Sequence, residues 1–146
     1  MNVRPSLLDR IRTPASRGSS FSANDLRKSV QDDLENLLNT RCRCLDLPKD
    51  LTQLDHSLMN YGLPDYTGLS SGVEGARERM RNELRKVIER CEPRLKRVRV
   101  HLLTNSEPLD RRLRFRIEAE LLAEPIVFQS ILDQTTAKID VTKAPR

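Results

Sequence analysis

Glu92-Pro93-Arg94-Leu95 is the stretch on which the fold of this chain turns. Upstream of it, Ala76, Met80, Leu84, Val87, Ile88 and Cys91 recur at helical spacing. Downstream, Val98, Val100 and Leu102 alternate with Arg97, Arg99 and His101, the period-2 pattern of a half-buried strand. Proline removes a backbone donor and disfavours helical geometry in the residue before it, so Glu92 must leave the helix. Glu92 and Arg94 then flank a stiff corner with opposite charges. Such a pair locks a junction from within or reaches out to a partner, and the four residues alone leave both open.

Working outward, a first helix starts at Ser22, with Asp25 three residues on as in a capping box. Its apolar stripe is Leu26, Val30, Leu34, Leu37 and Leu38, and it is expected to end near residues 39–41. Asp32, Asp33 and Glu35 fall on what reads as a solvated face. Residues 42–70 form a long connection, with a short helix expected over Asp50 to Met59 and turn chemistry from Asn60 to Asp65. On the second helix, pairs such as Arg79–Glu83 account for the charged side.

After the corner, Leu113, Phe115, Ile117, Ala119 and Leu121 alternate with Arg112, Arg114, Arg116, Glu118 and Glu120. Two more strands are expected at 126–132 and 137–142, around the turn Gln134-Thr135-Thr136. Helices followed by strands give an α+β class, helices packed on a small antiparallel sheet. The domain spans residues 22–146. Residues 1–21 read as an extended arm, broken by Pro5, Pro14 and Gly18, that carries one apolar trio, Leu7, Leu8 and Ile11. That trio either packs on its own domain or docks on a partner.

Composition narrows the function. The chain has 146 residues, net charge +5, 32% charged residues, 3% aromatic residues and no Trp. Arginine supplies most of the basic excess and suits bidentate pairing with carboxylates or phosphates. Few aromatics make a poor base-stacking platform, so nucleic acid ranks below protein as a partner for the arginine-rich strands. No apolar run approaches a membrane span, the N-terminus lacks the apolar core of a signal peptide, and Cys42, Cys44 and Cys91 make an odd set. A cytoplasmic protein with reduced thiols is expected.

Catalytic constellations are thin. There is no G-x-S-x-G elbow, no P-loop lysine and no zinc-ligand spacing, so neither cofactor nor metal is expected. Glycoside hydrolysis needs two carboxylates across a cleft. Glu118 and Glu120 instead share one strand face among arginines, whose charge favours the carboxylate form.

Several segments together resemble one family. Pro5-Ser6-Leu7-Leu8-Asp9-Arg10-Ile11 is similar to the N-terminal element of TssE proteins. Ser29-Val30, Asp33-Leu34 and Leu37-Leu38-Asn39-Thr40-Arg41 look like the first-helix signature of that family. Tyr61-Gly62-Leu63-Pro64-Asp65 matches its loop, and Glu92-Pro93-Arg94-Leu95 its E-P-R motif. One departure is Arg41-Cys42-Arg43-Cys44, where a second basic residue would directly follow Arg41. TssE is the type VI secretion counterpart of the small baseplate wedge protein of contractile phages, in a family also called lysozyme-like.

The resemblance implies a non-catalytic subunit of a cytoplasmic baseplate wedge. Its implied partners are TssF and TssG in the wedge, TssK toward the membrane complex, and the sheath proteins TssB and TssC. It also implies a template for the first sheath ring, which fits strand addition at a sheet edge. The candidate edge is the last strand, with Lys138, Ile139, Asp140 and Val141. Murein hydrolysis and an adaptor-like regulatory role are the competing expectations.

Overall fold

The computed structural model describes residues 11, 22–42, 50, 53–54, 57–64, 74–103, 112–133, 136 and 138–143. Helix α1 is Ala23–Asn39. Its start follows from a reciprocal cap: the Asp25 N–H donates to Ser22 Oγ at 3.1 Å, and the Ser22 N–H donates to the Asp25 carboxylate at 2.9 Å. Its inward side is Leu26, Ser29, Val30, Leu34, Leu37 and Leu38. At its end the Thr40 N–H donates to the Asn36 and Leu37 carbonyls.

The helix expected across Asp50 to Met59 is not α-helical where it is described. Residues 53–54 and Leu58–Asn60 are 3-10 turns, the second capped by Ser57 Oγ accepting from the Met59 N–H. The leucines described there form no buried stripe, since Leu54 is half-buried and Leu58 is 89% exposed. Helix α2 is Glu74–Cys91, with Ala76, Met80, Leu84, Val87 and Ile88 buried. On its wet side Glu83 pairs with Lys86, not with Arg79 as expected, and Arg85 pairs with Glu89.

Four strands make an antiparallel sheet in sequence order: β1 Leu95–Leu103, β2 Leu113–Leu121, β3 Glu124–Asp133 and β4 Lys138–Lys143. The protein is therefore α+β. β1 carries a bulge: its register on β2 shifts between Lys96 and Arg99, and Arg97 sits at φ 52°. Strict alternation from Leu95 would turn Val98 outward. The extra residue puts both Leu95 and Val98 in the core.

One face of the sheet supplies Val100, Phe115, Ile117, Phe128, Leu132, Ile139 and Val141 to a single core shared with both helices. Helix α1 lies along β4 and α2 along β1. The other face holds the arginines, which pair as Arg97–Glu120 and Arg116–Glu118. These are the cross-strand and same-strand partners that a solvated face offers.

Candidate functional site

Helix α2 ends at Cys91, where the Glu92 N–H makes the last helical bond to the Ile88 carbonyl. The Leu95 N–H then donates to the Glu92 carbonyl at 3.1 Å, closing a β-turn over Glu92–Leu95. Pro93 occupies the second position, where its fixed φ is preformed for the turn. Arg94 is not among the residues with positive φ, so the turn is type I.

The turn aims the Glu92 side chain inward, and this acid is 5% exposed. A carboxylate this buried is expensive without charge and hydrogen-bond partners. Arg94 supplies both. Its Nε donates to Glu92 Oε1 at 2.6 Å and its Nη2 to Glu92 Oε2 at 2.5 Å, a bidentate fork. The same guanidinium reaches α1, where Nη2 meets Asp33 Oδ2 at 2.5 Å and Nη1 meets Ser29 Oγ at 3.3 Å. Arg94 thus ties the end of α2, the start of β1 and the middle of α1. The Glu92 hydrogen bond, working against burial and assisted by Asp33, holds its guanidinium above the ordinary arginine value.

Arg94 therefore points into the molecule, and its guanidinium nitrogens are engaged by Glu92, Asp33 and Ser29. Pro93 is exposed and Leu95 is core. Asp33, assigned from sequence to a solvated face, instead bridges to Arg94. A signal for it exists: Ser29 lies three residues after Leu26 and Asp33 four after Ser29, so polar residues continue the inward stripe. An inward hydroxyl and carboxylate on a helix call for a donor opposite, which a cation can supply.

The loop signature joins the same end of the molecule. The Leu63 N–H donates to the Thr40 carbonyl and the Cys42 N–H to the Leu63 carbonyl, at 2.9 and 2.8 Å. Gly62 allows this approach: its φ is 103°, and a Cβ there would lie 2.4 Å from the Thr40 oxygen. Arg90 Nη2 pins the loop from α2 through the Asn60 carbonyl at 2.7 Å. Tyr61 packs against the core beside them. Its phenol is pushed above the usual value first by burial, then by the nearby Cys91, Asp33 and Glu92.

The other sequence-selected residues lie elsewhere. Ile11 is 65% exposed, while Leu7 and Leu8 lie outside the described residues. Lys138, Ile139, Asp140 and Val141 are on β4, which is an edge strand. The Ile139 and Val141 side chains are buried, and Lys138 pairs with Asp140. No group of three or more potential metal ligands occurs among the described residues, and no helix described is long and apolar enough to cross a membrane.

Three motifs distant in sequence thus converge: the α1 signature, the Tyr61–Pro64 loop and the corner. Residues 24–126 match the family model described as baseplate wedge protein gp25. The chain belongs to the baseplate wedge protein gp25 family. The matched span includes all three converging motifs of the gp25-type wedge protein and stops before β4. A chain in a solved structure, the baseplate complex from the type VI secretion system, is similar in fold to this gp25-family member. The two share 24% identity with a TM-score of 0.53, over 75% of this chain and 96% of that one. No curated protein matches the sequence.

Proposed function

We propose that this chain is a TssE-type subunit of a type VI secretion baseplate wedge, acting as a structural part and not as an enzyme. The observation that carries this is the family match over residues 24–126, within which Arg94 joins the α1 and corner segments and Arg90 pins the loop between them. The fold likeness to a chain of a type VI baseplate complex supports it. In this role the subunit joins TssF and TssG in the wedge and lies near TssK at the cytoplasmic side of the inner membrane. It also presents a sheet edge to the sheath proteins TssB and TssC.

The corner suits such a part. A subunit that starts a contractile sheath must transmit load without its layers sliding, and Arg94 binds both helical segments to the first strand. Glu92 is a poor general acid in this setting. Both its oxygens accept from Arg94, which is the opposite of offering a proton to a substrate. The arm trio Leu7, Leu8 and Ile11 is the expected wedge-docking element. Sheath pairing over Lys138, Ile139, Asp140 and Val141 proceeds by strand addition, with the edge charges setting specificity.

Co-expression with TssF and TssG tests this. The expected result is a stable complex that survives native purification. A folded chain that elutes apart from both proteins would sink the proposal, and release of muropeptides by the purified chain, abolished in Glu92→Gln, would replace it with an enzyme.

A further inference from the structure

β4 is the last strand of the sheet, and an exposed edge strand offers unpaired N–H and C=O groups to any other strand. In this molecule those groups are not open at its centre. Asn39, at the end of α1, places its carboxamide against Ile139. Its Nδ2 donates to the Ile139 carbonyl at 2.7 Å, and its Oδ1 accepts from the Ile139 N–H at 2.9 Å. One donor and one acceptor facing one residue is the pattern that a neighbouring strand would present. Two turns earlier on α1, Gln31 Nε2 donates to the Val141 carbonyl at 3.0 Å.

Ile139 and Val141 are two apart, so their backbone groups point to the same side of the strand. Asp140, between them, turns its backbone groups to the opposite side, where its register partner is Ile131 of β3. Helix α1 thus provides a side-chain imitation of a fifth strand. The arrangement is anchored, since Asn39 Nδ2 also donates to the Glu35 carbonyl at 2.8 Å.

We infer that Asn39 and Gln31 close the outer edge of β4, and that in the free chain they prevent strand pairing with a second copy of this protein. The neighbouring charges fit that occupant. Lys138 and Asp140 have opposite signs, so two copies of β4 paired antiparallel about Ile139 would set Lys138 against Asp140 and attract each other. Charge alone leaves this edge self-complementary, and the amide pair supplies the closure that the charges do not. The same closure means that a sheath strand adding at β4 must displace Asn39 from Ile139.

The full chain carrying Asn39→Ala tests the inference by two measurements on one sample. At low concentration, hydrogen exchange at the Ile139 amide should quicken on the order of tenfold, the effect of losing one hydrogen bond. At rising concentration, sedimentation should show dimers and larger species that the unaltered chain does not form, with the Ile139 amide protected again. A variant that exchanges faster but stays monomeric overturns the inference. So does one that associates without reprotecting Ile139, or one that does neither. If Asn39→Ala does not fold, Gln31→Ala combined with Asn39→Asp decides in its place. That pair removes both donors to the β4 carbonyls while keeping the acceptor for Ile139, and a monomer at every concentration would overturn the proposal.

Discussion

The Glu92–Leu95 corner carries Pro93 where a type I turn favours it, whereas the β2–β3 tip carries Leu122 and Ala123 where a hairpin favours Asn and Gly. At the tip, Leu121 pairs with Glu124, and the two residues between them sit at φ 55° and 65°. Two successive positive φ values in a two-residue connection mark a type I′ turn. Neither residue adopts that region willingly, since each Cβ crowds the following carbonyl at about 1–2 kcal/mol. The corner is made by its own residues. The tip is imposed by the strands on either side, which pair without a register shift from Leu113–Leu132 to Leu121–Glu124. Its flank is also tied to α1 by the Arg27–Glu124 ion pair.

If the corner depends on its own side chains, removing one should be severe. Arg94→Ala leaves the Glu92 carboxylate, 5% exposed, with no cation. Breaking a buried pair this way costs about 3 kcal/mol, near the lower end of the range because Arg94 and Asp33 keep some water contact. Glu92→Ala should cost less, about 1–2 kcal/mol, because Arg94 retains Asp33 and can reach water. Arg94→Lys should recover little, since an ammonium cannot make the fork. Denaturant unfolding measures all three. Equal losses for Arg94→Ala and Glu92→Ala would mean that the cluster is not organised around a buried acid.

Gly62 is an intermediate case, a turn made by one residue against a fixed neighbour. Gly62→Ala combines a positive φ with a Cβ placed 2.4 Å from the Thr40 oxygen. The expected loss is about 2 kcal/mol, with the loop moving off the end of α1. A variant as stable as the original would show that the loop is not held where Thr40 and Leu63 bond.

This contrast explains what could be read in the sequence. The α1 cap, both helical stripes and the alternation of the strands are written in adjacent residues. So is the corner, because proline acts locally. Where a conformation is set by a distant part of the chain, the residues at the position carry no sign of it. Leu122-Ala123 reads as an ordinary apolar pair, Arg97 as one more outward arginine, and Asn39 as a helix-ending residue. The bulge and the covered β4 edge depend on partners 23 and 100 residues away, and the tip on the pairing of the two strands that flank it. Asp33 falls between the two kinds. Its placement beside Ser29 was visible, but its meaning required Arg94, 61 residues on.

At the tip the expected change is a gain. Ala123→Gly removes the Cβ conflict at φ 65° and should stabilise by about 0.5–1 kcal/mol after the entropy of a freer unfolded chain is subtracted. Leu122→Asn should act in the same direction. Thermal unfolding measures both. A loss in both variants would mean that the side chains at the tip make contacts worth more than the strain, and the contrast with the corner would fail.

The smallest effect belongs to the other locally made feature, the α1 cap. The Ser22 hydroxyl and then its backbone N–H hold the Asp25 carboxyl below the ordinary aspartate value, with Lys28 assisting. A depressed folded value means that the charged cap stabilises the fold above the unfolded aspartate value of about 4, and that this contribution fades as pH falls through the folded value. Asp25→Asn keeps the size of the side chain and removes its charge. The difference in Tm between the two proteins should therefore be steady near neutral pH and shrink as pH falls below about 4. Asp25 is solvent-exposed, so the difference should also be modest and lessen with added salt. A Tm difference that holds constant through acid pH would mean that the cap works through its shape alone, and that even a locally written feature draws its stability from packing.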